Sequence, residues 1–183
     1  MFGSILLTEQ EISRALTRIA HEIIERNNNT RDIVLVGLLT RGVPLAHRLA
    51  VLINDFEKVL FPVYALDFRS YRDDIDYITK PPTKEPENDV SLQITGNVVV
   101  LVDDVLSTGR SIRAAMDALV HLGRPKCIQL AVLIDRGHRE VPIKADYVGK
   151  NIPSSEKERI QVKLTEIDNL DCVVIIPNIQ KNS

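Results

Sequence analysis

Val98 to Ser111, VVVLVDDVLSTGRS, sets two adjacent carboxylates and a hydroxyl-rich turn after an apolar run. Val98 to Leu101 and Val102 are all apolar, four of the five being Val, which suits a strand buried on both faces of a parallel sheet. Asp103 and Asp104 follow where that strand is expected to end, and Ser107, Thr108 and Gly109 form a small-residue turn. Ile112, Ala115, Met116 and Leu119 then recur at helical spacing, with Gly123 and Pro125 as the stop. A strand-turn-helix junction gathers free backbone N–H groups and the positive end of a helix dipole, which together attract a phosphate. Two carboxylates beside such a cradle would repel the ligand unless they engage another part of it. Vicinal hydroxyls or a bridging Mg²⁺ are the natural partners, so the segment reads as a pocket for a ribose 5-phosphate. An ordinary acidic turn after a buried strand is the plain alternative. The commoner nucleotide patterns, G-x-x-x-x-G-K-[ST] and a post-strand G-x-G-x-x-G, are absent from the sequence.

The elements that must position this segment are legible as alternating strands and helices. Thr8 to Asn28 reads as a helix with an apolar stripe of Ile12, Ala15, Leu16, Ile19, Ala20, Ile23 and Ile24. Thr8 suits the N-cap, with Glu11 as its capping-box partner. Strands are expected at Ile33 to Leu39, Pro62 to Leu66, Val98 to Val102, Cys127 to Ile134, Asp146 to Gly149 and Cys172 to Ile176. A helix over Pro44 to Ile53 follows Thr40-Arg41-Gly42. This order implies an α/β domain with a mainly parallel sheet flanked by helices. Arg69 to Gly96 is rich in charge and contains Pro81, Pro82 and Pro86, with too little apolar periodicity for core. It is expected to be a mobile flap rather than a linker, because a linker is out of place inside a small domain.

Composition narrows the class. The chain has 183 residues, 44% of them hydrophobic, and suits a single domain over 1–183. A net charge of −2 excludes a uniformly basic nucleic-acid binder, so that function requires a local patch. The first residues lack the pattern of a signal peptide, and no apolar run has the length of a membrane span. A cytoplasmic protein with no membrane partner is expected. Cys127 and Cys172 read as buried, reduced thiols, and the four histidines show no metal-ligand spacing.

The order of apolar strand, Asp103-Asp104, Ser107-Thr108-Gly109 and amphipathic helix resembles the 5-phosphoribosyl-1-diphosphate (PRPP) motif of type I phosphoribosyltransferases. The resemblance implies that fold. Asp103 and Asp104 would bind the ribose hydroxyls directly or through Mg²⁺, and Ser107, Thr108, Gly109, Arg110 and Ser111 would bind the 5-phosphate. Thr40, Arg41 and Gly42, after another buried strand, correspond to the loop that binds pyrophosphate. That loop often carries a cis peptide, expected here at Leu39-Thr40 or Thr40-Arg41. Tyr71 and Arg72, on the flap, would close over the leaving pyrophosphate. Tyr147 and Val148 lie where related enzymes face the base, although a core Tyr is the equal alternative. Catalysis is assigned to Arg72, Asp103 and Asp104, with no general base identified.

Three further blocks narrow the resemblance. RALTRIAHE runs from Arg14 to Glu22, Tyr71-Arg-Asp-Asp74 opens the flap, and DRGHREVPIKADYVGKNIP runs from Asp135 to Pro153. With LVDDVLSTGR they are similar to the pyrimidine operon attenuation regulators, which also have uracil phosphoribosyltransferase activity. Two positions depart from that pattern: Ser107 replaces a common Tyr, and Asp67-Phe-Arg-Ser70 replaces a more hydrophobic lead-in. The resemblance implies formation of UMP from uracil and PRPP, and binding of pyrimidine operon leader mRNA when UMP or UTP is bound. Arg14, Arg18 and His21 fall on one helix face flanked by Thr17, although Glu22 and Glu25 make it an ordinary solvated face by charge alone. The resemblance joins Arg139, Lys144 and Lys150 to them as one RNA surface. Aromatic content of 4% argues against an extensive stacking platform. A homodimer or higher oligomer is implied. The alternatives are a phosphoribosyltransferase with no RNA role and an RNA-binding nucleotide sensor with little catalysis.

Overall fold

The structure is a computed structural model, and it describes residues 4–27, 32–71, 94–155 and 157–177. Its centre is a five-stranded parallel sheet in the order β3-β2-β4-β5-β6. The strands are β2 (Ile33–Leu38), β3 (Val63–Leu66), β4 (Val98–Leu106), β5 (Cys127–Asp135) and β6 (Tyr147–Asn151). The chain leaves β2 for one neighbour, β3, and returns on the other side as β4. The strand order therefore reverses between β2 and β4, and ligand crevices form at the carboxyl ends flanking such a switch point.

Strand pleating sorts the core into two layers. Ile33 and Leu35, with Val98, Val100 and Val102, face helices α1 (Glu9–Arg26) and α2 (Gly42–Glu57). Val34, Val36, Val99 and Leu101 face α3 (Arg110–Leu122) on the other side. Helix α1 begins as its sequence requires: Thr8 Oγ1 accepts from the Glu11 N–H, and the Glu11 carboxylate accepts from the Thr8 N–H at 2.8 Å. Its expected stripe is buried except for Ile24, which is half-buried. Helix α2 is longer than expected, running to Lys58, whose left-handed backbone (φ 57°) stops it.

A second sheet is antiparallel, β1-β8-β7, built from β1 (Ser4–Thr8), β8 (Cys172–Pro177) and β7 (Glu158–Lys163). Only β8 was expected. Before β8 lies the short helix α4 (Thr165–Asp168). Cys172 is buried, but Cys127 is exposed, correcting the expectation of two buried thiols: it is the first residue of β5, where the strand emerges from the preceding loop. Residues 72–93, most of the expected flap, lie outside the described residues. No described helix is long and apolar enough to cross a membrane.

Arg48 fastens the two sheets together. From α2 it donates to both Glu166 carboxylate oxygens (2.8 and 2.6 Å) and to both Asp171 oxygens (2.5 and 2.8 Å). Bidentate pairs of this kind are strong and directional. The Arg48 guanidinium holds the Asp171 carboxyl at a pKa of about 2. A depressed carboxylate stabilises the fold above its ordinary pKa and loses that contribution as pH falls towards the depressed value. We therefore predict that about 2 kcal/mol of stability disappears between about pH 4 and pH 2. Denaturant unfolding across that range should show the loss in the wild type and a clearly smaller loss in Asp171→Asn.

Candidate active site

The apolar run of β4 does not end its hydrogen bonding at Val102. Asp103 pairs in register with Val132, Val105 with Ile134 and Leu106 with Asp135, so the two acids sit within the strand rather than beyond it. By alternation Asp104 continues the row facing α2, and Asp103 the row facing α3. Backbone N–H groups steady both: Asp104 N–H donates to Asp103 Oδ1 (2.9 Å) and Val105 N–H to Asp104 Oδ1 (2.8 Å). Burial pushes the Asp103 carboxyl well up, and the neighbouring Asp104 charge adds to it. Asp104 is also raised by burial, opposed by the Val105 N–H and the Arg41 charge. Among the described residues neither carboxylate is in an ion pair. Two half-buried acids in no ion pair among the described residues attract a cation or hydroxyl groups.

Two loops close on this pair. After β2 the Leu39-Thr40 peptide is cis, one of the two bonds where that geometry was expected. A Cβ on Gly42 would lie 2.2 Å from the Val102 carbonyl oxygen, so only glycine lets this loop cross the end of β4. After β4 comes Ser107-Thr108-Gly109. Gly109 has φ +87°, and a Cβ there would lie 2.8 Å from Val141 Cγ2. Helix α3 starts at Arg110, whose N–H donates to Thr108 Oγ1 at 3.3 Å, and the positive end of its dipole lies at the Ser107–Gly109 turn, where an anion is favoured.

The segment after β5 folds back over the phosphate turn. Glu140 N–H donates to the Thr108 carbonyl (2.9 Å), and the Arg110 and Glu140 side chains form an ion pair. Arg139, expected on the RNA surface, is half-buried beside the Ser107–Gly109 turn. Its guanidinium donates to the carbonyls of Ser107 (2.8 Å), Ile143 (2.8 Å) and Gly137 (3.1 Å) and to Asp135 Oδ2 (2.5 Å). It ties the Ser107–Gly109 turn to the segment after β5. No sequence pattern pointed to this, because its partners are mainly backbone carbonyls.

Other expected residues separate in the same way. Tyr147 is buried on the α1 side of the sheet, donating to Gln129 Oε1 at 2.7 Å, so its ring is core and not open to a base. Val148 faces the α3 side, half-buried. Tyr71 packs against His121 (ring centroids 5.4 Å apart), eleven residues and about 16 Å along α3 from the phosphate turn. That placement takes it away from the two loops. Arg72 lies outside the described residues.

Arg14, Thr17, Arg18 and His21 do line one open groove of about 560 Å³ on α1. Lys150 joins Arg14 and Arg18 in an adjoining hollow of about 340 Å³. His21 stacks on Phe56 of α2 (centroids 4.1 Å apart). Arg18 binds Glu22 (2.7 Å) and also donates to the carbonyls of Val148 (3.0 Å) and Gly149 (2.5 Å), tying α1 to β6. Lys144 is exposed.

Comparison with known proteins agrees with this geometry. Residues 3–167 match the family described as Phosphoribosyl transferase domain. A bifunctional protein PyrR of Chloroflexus aurantiacus is 58% identical over 171 residues, spanning 93% of each chain. That of Alkaliphilus metalliredigens is 57% identical over 170 residues, again 93% of each chain. The hypoxanthine phosphoribosyltransferase of Trypanosoma cruzi, solved with its product IMP, shares the fold with a TM-score of 0.70 at 21% identity. That match covers 97% of this chain and 92% of the other. The strand ends, the two loops and these matches together show that the chain belongs to the phosphoribosyltransferase family and, within it, to the bifunctional PyrR proteins.

Proposed function

We propose that the whole chain acts as one phosphoribosyltransferase domain that joins uracil to PRPP, giving UMP and pyrophosphate, and that it binds pyrimidine operon leader RNA under control of UMP or UTP. The observation that carries the enzymatic half is the convergence of two ligand loops on Asp103 and Asp104 at the sheet's switch point. The regulatory half rests on identity of 58% to a bifunctional relative, with an open groove on α1 to receive RNA.

In this reading Asp103 and Asp104 engage the ribose hydroxyls. The amides and hydroxyls of Ser107, Thr108, Gly109, Arg110 and Ser111 hold the 5-phosphate, and Thr40, Arg41 and Gly42 hold the pyrophosphate. Transfer from PRPP passes through an oxocarbenium-like state, so charge stabilisation and exclusion of water outweigh proton transfer. Arg72, on the flap, would neutralise the departing pyrophosphate. The acids fit Mg²⁺, which favours a few carboxylates and keeps its remaining places for water and phosphate oxygens. When bound, the ion would offset the charge of the diphosphate. RNA would lie along Arg14, Thr17, Arg18, His21 and Lys150, read through phosphate contacts and hydrogen bonds to splayed bases. The protein would work in the cytoplasm as a homo-oligomer.

Replacing Asp103 or Asp104 by Asn should lower UMP formation at least about tenfold, equivalent to roughly 1.4 kcal/mol of transition-state stabilisation. Asp103→Asn should leave the melting temperature unchanged or raised, because it removes a charge that desolvation and the adjacent Asp104 already disfavour. Unchanged turnover in both variants would reject the assignment.

For RNA, His21→Ala should weaken leader binding about fivefold or more while UMP synthesis stays within twofold, and UMP and RNA should tighten each other's binding by one common factor. Arg14→Ala should reduce the slope of log affinity against log salt by about 0.7 to 0.9. RNA binding that survives both substitutions and ignores UMP would leave only the phosphoribosyltransferase.

A further inference from the structure

Two arginines reach from α2 to the α4 region, and they are held differently. Arg48 makes four short bonds to Glu166 and Asp171. Arg41, at the start of α2 and in the loop read above as the pyrophosphate site, reaches Asp168 through Nη2 alone, at 3.0 and 3.2 Å from its two oxygens. Arg41 Nε is buried with no hydrogen-bond partner. A buried, unmade donor on a charged group is unfavourable, so this contact does not use the capacity of the guanidinium. Asp168 is less dependent on the pair. Its Oδ2 accepts from the Leu164 N–H at 3.0 Å, and that bond first, then Arg41, holds its carboxyl below the usual range. Loss of Arg41 would leave Asp168 hydrogen-bonded and partly in water, whereas loss of Asp168 would leave Arg41 no ion pair, only the through-space charge of Asp104.

We propose that Asp168 is the resting counter-ion of Arg41, displaced when a diphosphate enters the Thr40–Gly42 loop and left in place when a nucleoside monophosphate binds. The inference rests on the phosphoribosyltransferase reading of that loop. A diphosphate offers several charged oxygens to a fork that Asp168 only half fills. UMP places its phosphate at the Ser107–Ser111 turn and presents nothing to Arg41. Asp168 is thus a positioning residue that separates substrate and pyrophosphate from nucleotide product. The position of the Arg41 side chain reports which of them is bound.

Asp168→Asn is the direct test, since the amide oxygen can still accept from the Leu164 N–H while the charge is gone. Calorimetry on the full chain with Mg²⁺ should show pyrophosphate and PRPP binding about fivefold tighter, with UMP changed less than twofold. The KM for PRPP should fall without a rise in kcat, and Asp168→Glu should restore wild-type values. In the wild-type protein, the NMR signal of the Arg41 Nε–H should move on adding pyrophosphate and stay put on adding UMP, a readout that holds even if the variant folds poorly. Unchanged or weaker pyrophosphate binding in Asp168→Asn, an equal change for UMP, or an Arg41 signal that responds to both ligands would overturn the exchange. Wild-type protein that binds neither PRPP nor pyrophosphate would instead reject the reading of the loop itself.

Discussion

The contact of Gly42 with the Val102 carbonyl governs the architecture of the site. It brings the loop that follows β2 across the end of β4, directly before the two aspartates. Any side chain at position 42 would separate the loop from the strand and widen the crevice at the point where the strand order reverses. That close approach sets the loop against β4 immediately before the two carboxylates. The same contact sets the start of α2, and with it the reach of Arg41 and Arg48 to the second sheet.

Much of this was readable in the sequence because it depends on local chemistry. Periodicity placed α1 and its buried stripe, and Thr8 with Glu11 marked its start. Apolar runs gave the three central strands β2, β4 and β5, whose burial on both faces leaves no alternation to confuse them. The Asp103-Asp104 pair and the following turn stood out because their residue types are otherwise hard to accommodate after a core strand. The antiparallel sheet was harder to see. β1 is five residues long and mostly exposed, and β7 alternates charged and apolar side chains, so neither has the composition of a core strand.

The misplaced residues share one cause: their side-chain direction or partner is set by distant parts of the chain. Tyr147 was equally balanced between core and ligand, and one step in the pleat of β6 decides it for the core, where Gln129 accepts its hydroxyl and burial pushes its pKa up. Arg139 looks like a surface cation in sequence, but four acceptors surround it once the segment after β5 folds onto the phosphate turn. Tyr71 follows β3 at the sheet's outer side and meets His121 rather than the ligand loops.

The tie between Arg18 and β6 has a consequence of another kind. β6 is an outer strand of the parallel sheet, and outer strands carry open backbone groups that can recruit a strand from a second chain. Arg18 occupies the carbonyls of Val148 and Gly149, and α1 packs along the same strand. At the opposite margin β3 limits the hazard by being only four residues long. The guanidinium that lines the α1 groove therefore also occupies the margin of the sheet, so a change at this one side chain alters both the groove and the strand's open edge.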